Sequence, residues 1–523
     1  MKRALAALAL VALLGAAFGA TAAGQGAAPP ADVTQIAVPA RPSAPEPPPP
    51  LTDAAATRLQ RAGGPLPADH ALAATFEGTL EVEGHLEQPH LAILYHSIRR
   101  IAVAAPQRAR LDWTTWRESD TTRWVETTLL DGDRVIRRQG AGNAFVELKG
   151  READDAAAAV WTAAPPLTCA RALAHRGAGL TGGPVSGMES DYYWNDALGQ
   201  CKYMLGPLDD PFALLMSRDE PRLGTINQSF HYFGVTLDAG DAWPDSLRSE
   251  GYPKGLIWRL REHRTALEEN VPLAELALPD SIVPMPPIVT DTTARVVTIA
   301  PHVWAVELRD ADTRSLVAEF SDHLVVMETS CDVEHGERLR RTIRDSISTK
   351  PVRFVTFSHH HPDYVGGLRA FLADSATVVC AGSNASYVQE IAHYYFRLTR
   401  DRLARISPGG VTARVDTLTS GRWRHADAMN ELVALDIGEK SHHTRDYLVF
   451  WLPRQKLLFE GDLGFFSIGP RVIASGRAVG LLQAIDEAKL APATVLQGWP
   501  VNDNPAGLPM AKFRELVAAR AQH

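Results

Sequence analysis

The stretch FSHHHPDYVGG, residues 357–367, sets three histidines in a row before a proline, an aspartate, a tyrosine and two glycines. Imidazoles and carboxylates are the ligands zinc takes in catalytic sites that keep one position open. Two histidines two apart on an extended segment point to the same side. His359 and His361 are therefore spaced to grip one ion, while His360 between them faces away. Asp363 follows the second histidine by two residues, where its carboxylate is placed to orient or deprotonate a water. Pro362 and the glycines 366 and 367 are expected to end the strand and turn the chain into a helix.

The elements around this stretch alternate. RVVTIAPHVWAVEL, SLVAEF and HLVVMETS read as strands, and 335–347 as a helix. VRFVTFS and ATVVCAG read as buried strands, followed by a helix from about 384 to 397. ELVALDIG, YLVFWLP, KLLFEGD and ATVLQG continue as strands, and GLLQAIDEAKL and MAKFRELVAAR as helices. Strands mixed with helices in this way imply sheets with helices packed outside them.

On these residues the C-terminal region resembles the metallo-β-lactamase superfamily. SHHHPDY fits the H-x-H-x-D-H signature in every position but the last. KSHHTRDYLVFWLP resembles the second ligand block, a His-Thr step before a strand, and so points to His443 rather than His442. KLLFEGDLGF resembles the strand that ends in Gly-Asp, which gives Asp462. The resemblance spans roughly residues 295–523. It implies an αββα sandwich and a metal held by His359, His361 and His443, with Asp462 bridging toward it or holding a second ion. Three departures qualify it. Tyr364 stands where the family has histidine, and Trp499 stands where the family's last ligand lies in a Gly-His step. Glu328 ends the VVMETS strand where aspartate is usual. Both Tyr364 and Trp499 replace ligands of the second metal, and an indole N–H is only a donor. The resemblance with its departures thus implies one ion, with zinc expected and iron as the alternative metal. Asp363 and Tyr364 are the expected catalytic groups, and Trp499 the expected lining of the substrate pocket.

The expected activity is water-dependent attack on an ester, amide, lactone or phosphoester of a small-molecule substrate. Two other readings remain: a degenerate fold that binds without catalysis, or a mononuclear iron oxidoreductase of the same superfamily.

The rest of the chain bounds these readings. At 523 residues it is too long for one ordinary core. Its 45% apolar and 22% charged residues are those of a globular protein, and a net charge of −8 argues against nucleic acid as a partner. The basic run RLRRTIRD at 338–345 shares its segment with Leu339, Ile343 and Ile347 at helical spacing, so it is the solvated face of an amphipathic helix. Residues 1–23, with MKR, an apolar core and an Ala-x-Ala site, read as a signal peptide without a lipobox cysteine. They imply export to a periplasm or medium, with no membrane span in the mature chain. Residues 24–54 are a proline-rich linker. Residues 55–285 are expected to form a mainly antiparallel β domain, which resembles the lipoprotein-sorting-like half-barrel of exported bacterial proteins. Residues 286–523 make up the second domain, so the whole is α+β. Cys169 with Cys201, and Cys331 with Cys380, are either disulfide partners or buried thiols; spacing leaves both open.

Overall fold

The computed structural model describes residues 50–520, apart from 65, 85–88, 90, 106, 119–121, 140–143, 178, 185–188, 198, 209, 221–223, 236–242, 253–257, 286–290, 465–475 and 502–506. The expected signal peptide and residues 24–49 of the linker lie outside the described residues. The helix Asp53–Gly63 begins inside the stretch read as linker, where the Thr52 hydroxyl caps it by accepting from the Ala55 N–H.

The N-terminal region is one 14-stranded sheet, antiparallel throughout except where Ile282–Pro284 runs parallel to Phe145–Glu147. Three of its strands, Ala71–Gly84, Leu91–Ala104 and Trp258–Val271, are 14 residues long. Burial alternates strictly along Arg108–Trp116, as expected for a sheet with one face on a core. That core also takes in apolar residues of Asp53–Gly63 and of two helices that the mainly-β reading did not place, Gly150–Trp161 and Pro165–Ala174. The Ala-rich run DDAAAAVW of the first favours helix on propensity alone.

The C-terminal domain is the αββα sandwich. Its first sheet runs in the order Ala294–Ala300, Val303–Leu308, Thr313–Glu319, Leu324–Met327, Val352–Thr356, Thr377–Cys380 and Val415–Thr417. The last four strands are mutually parallel. The second sheet runs Arg422–Ala426, Glu431–Asp436, Leu448–Leu452, Leu457–Glu460, Thr494–Gln497 and Leu508–Pro509. Leu316, Val325 and Met327 of one sheet meet Leu432, Phe450 and Phe459 of the other in the central core. Val333–Ser346 and Ala385–His393 cover the outer face of the first sheet, and Gly476–Glu487 and Met510–Arg520 that of the second. The helix expected over 384–397 stops at His393, and Tyr394 takes an extended conformation.

All four cysteines are buried thiols, so neither disulfide pairing is formed. Burial pushes the Cys169 thiol up to about 12. Among the described residues no helix is long and apolar enough to cross a membrane.

Candidate metal centre

The site lies where the two sheets come together at one edge of the sandwich. Leu324–Met327 delivers Glu328 there, Val352–Thr356 delivers Ser358 and the histidine run, and Leu457–Glu460 delivers Asp462. The Leu448 N–H donates to the Ser358 carbonyl at 2.7 Å, which ties the second sheet to the histidine segment.

The structure brings His359, His361 and His443 together. One ligand atom from each lies within 4.8 Å of the others. Their ring centroids form a near-equilateral triangle, 4.5, 4.7 and 4.6 Å on its sides. His359 is fully buried; its Nδ1 is 2.9 Å from the Ser358 hydroxyl, while its Nε2 has no hydrogen-bond partner. The Nε2 of His443 is likewise buried and unbonded. A buried imidazole nitrogen without a hydrogen-bond partner, beside two further imidazoles, is costly unless something binds there. This donor set fits a divalent ion that takes three nitrogen ligands. Burial, with His361 and the neighbouring histidines adding to it, holds the His359 imidazole well below its ordinary pKa. An imidazole binds a metal in its neutral form, the form that burial favours.

Local structure explains how each group arrives. The Ser358 N–H donates to both carboxylate oxygens of Glu328, at 3.1 and 3.2 Å, fixing the start of the histidine run. Glu328 sits at φ +66, a left-handed conformation that costs energy for any residue with a Cβ. Burial raises its carboxyl to about 8 against the pull of the Ser358 bonds, and burial raises Glu460 to about 8 as well. The two glycines make the expected turn, between Pro362–Val365 and the helix Leu368–Leu372, and also allow close packing. A Cβ on Gly366 would stand 2.0 Å from the Cys331 carbonyl, and one on Gly367 2.0 Å from that of Thr329. On the other side, the buried Ser441 hydroxyl accepts from the N–H groups of His443 and Thr444, each at 3.2 Å. His442 adopts φ +49 and packs toward Gly476 and Gly480, so of the adjacent pair it is His443 that faces the site. His360 turns its ring toward Tyr387.

The remaining expected residues fall around this triangle. Asp462 stands beside the three histidines, its Oδ2 3.2 Å from His443 Nε2. The Tyr364 ring packs 4.3 Å from that of His359 and is itself buried. Asp363 lies in the first turn of the short helix Pro362–Val365, half-buried, with its carbonyl accepting from Cys331. Trp499 is half-buried and packs against the cluster between the first sheet and its helices.

Two residues escaped the sequence reading. Tyr447 stacks on His359 with ring centroids 4.8 Å apart, and its hydroxyl donates to Asp462 Oδ1 at 2.9 Å. Arg477 donates to Asp462 Oδ2 at 3.1 Å. Burial acts to raise the Asp462 carboxyl, but His443, Arg477 and His359 together hold it well below its ordinary range.

The C-terminal region is similar to known proteins. Residues 314–499 match the metallo-β-lactamase superfamily. Solved structures similar to this chain include a metallo-β-lactamase from Pontibacter korlensis, at 19% identity and TM-score 0.33, covering 44% of this chain and 100% of that one. They also include the mono-zinc form of the metallo-β-lactamase FIM-1 from Pseudomonas aeruginosa, at 21% identity and TM-score 0.32, covering 44% and 96%. A linear primary-alkylsulfatase from a Pseudomonas species is 29% identical over 72 residues, which is 14% of this chain. The match spans only 13% of that relative's length. The C-terminal half is thus a metallo-β-lactamase-fold domain preceded by an antiparallel β-rich region, and the histidine triangle sits within the matched span.

Proposed function

We propose that this protein is an exported metal-dependent hydrolase holding a single zinc ion through His359, His361 and His443. The observation that carries the reading is the convergence of three imidazole ligand atoms within 4.8 Å, with the buried Nε2 of His359 left without a hydrogen-bond partner. When bound, the ion would supply a Lewis acid that polarises a substrate oxygen and makes water acidic enough to react near neutral pH. The chain's own groups do the rest. Asp363 accepts the proton of the attacking water, Tyr364 hydrogen-bonds a substrate oxygen, and Trp499 shapes the pocket. The substrate is a small ester, amide, lactone or phosphoester. Similarity to an alkylsulfatase adds sulfate esters to that class. Export rests on the signal-like residues 1–23.

The test is the metal content of the purified protein, expressed with ample zinc, combined with a hydrolase screen over these ester classes. About one zinc per chain with turnover of at least one class is expected. Trace metal only would sink the proposal in favour of a binding fold without catalysis. Iron in place of zinc, with no hydrolysis, would favour the oxidoreductase reading.

A further inference from the structure

We propose that Arg477 is a resident cation of the metal centre, neutralising Asp462 so that the site takes a single ion. This rests on the reading of the histidine triangle as a metal site. A buried carboxylate must be compensated by positive charge or by hydrogen bonds. Both oxygens of Asp462 are engaged in this way. Oδ1 accepts from the Tyr447 hydroxyl at 2.9 Å, and the Asp462 N–H donates back to that hydroxyl oxygen at 2.8 Å. Oδ2 accepts from Arg477 at 3.1 Å, and the same oxygen lies 3.2 Å from His443 Nε2. Guanidinium and imidazole thus flank one carboxylate oxygen. Arginine does not lose its proton in proteins, so this positive charge is permanent.

The placement is built into the backbone. Arg477 is the second residue of the helix Gly476–Glu487, which packs on the turn Gly438–Ser441 that leads into His443. A Cβ on Gly480 would stand 1.6 Å from the Lys440 carbonyl, so only glycine lets the helix come this close. That contact sets the register of Arg477 against His443. Two consequences follow for a bound ion. The fixed charge repels it, and the salt bridge withholds Asp462 as an anionic ligand. An ion held by three neutral imidazoles then keeps more of its charge for polarising substrate.

The role predicts a direction that a merely structural arginine would not. Arg477→Met removes the repulsion and frees Asp462, so zinc should bind about tenfold more tightly or better, read by chelator competition. Cobalt substituted for zinc should report a changed d–d absorption in this variant as Asp462 enters the coordination shell. Adding Asp462→Asn should return the spectrum toward wild type. Arg477→Lys keeps the charge and should keep wild-type affinity. Unchanged or weaker zinc binding in a folded Arg477→Met protein overturns the proposal. So does tightening of equal size in Arg477→Lys. The unaltered protein supplies a test that no variant's folding can confound: saturation near two zinc ions per chain overturns the proposal, and saturation near one supports it. Failure of the unaltered protein to bind zinc at all overturns the metal-site reading itself, a different result from one bound ion indifferent to Arg477.

Discussion

His359 and Asp363 are four residues apart, and the structure assigns them different surroundings. His359 is fully buried, wedged between the rings of Tyr364 and Tyr447, with one nitrogen bound to Ser358 and the other open to the triangle. On the proposed reading, its replacement removes one of the three imidazoles that would hold the ion. His359→Ala should therefore abolish stoichiometric zinc binding. Asp363 lies outside the ligand cluster, so Asp363→Asn should retain most of the zinc while losing turnover by about a hundredfold or more, as for a lost general base. Metal content measured beside kcat separates the two, and comparable turnover in Asp363→Asn would remove the aspartate from the mechanism. His359 and His361 were legible from their spacing on one short segment, whereas His443 was legible only through the resemblance of its His-Thr step to a family ligand block. Arg477 was not: it lies 34 residues beyond His443, at the head of an ordinary-looking helix, and no periodicity links it to Asp462. Tyr447 was hidden differently, as one more aromatic residue at the edge of an apolar strand.

The elements that carry these residues depend on their ends. The helix Val333–Ser346 begins close behind Glu328, and Asp332 caps it by accepting from the His335 N–H at 2.9 Å. The His335 ring also lies 2.7 Å from Asp332 and 3.4 Å from Asp310, which in turn accepts from Arg338. Burial pulls the His335 pKa down and Arg338 adds to that pull, but Asp332 and Asp310 prevail and leave it raised. A histidine whose folded pKa exceeds its unfolded value contributes stability that is complete below the unfolded pKa. That contribution is lost as pH rises through the folded value. The melting temperature should accordingly carry a component that falls as pH climbs above 6.5, and His335→Gln should lack it. Parallel melting curves against pH for the two proteins would show that the ion pairs contribute nothing. The amphipathic pattern of this helix was legible because its buried residues Leu339 and Ile343 are four apart. The cap network was not, since Asp310 reaches it from a loop of another hairpin.

At the scale of the whole molecule, the two regions are joined by hydrogen bonds around Thr225. The Thr225 N–H donates to the Tyr395 carbonyl at 2.5 Å, the Arg397 N–H donates to the Thr225 hydroxyl at 2.6 Å, and the Arg397 side chain reaches Gln200. Elsewhere, the N-terminal sheet holds a buried ion pair. Glu262 accepts from Arg99 Nε at 2.8 Å and from the Ser97 hydroxyl at 2.7 Å, and Trp113 donates to that same hydroxyl. Both charged side chains are almost wholly buried, at 5% and 0% exposure, so neither has solvent to fall back on. Glu262→Ala strands the Arg99 guanidinium in the core and should cost about 3–5 kcal/mol of stability, measured by denaturant unfolding. The metal triangle is built wholly from the other domain's strands and turns. Zinc affinity of the same variant should therefore stay at the wild-type value under conditions where it is folded. If affinity instead fell together with stability, the hydrogen bonds at Thr225 would be transmitting the shape of the N-terminal sheet to the metal centre. The two regions would then have to be treated as one cooperative unit rather than a hydrolase-fold domain with a β-sheet partner.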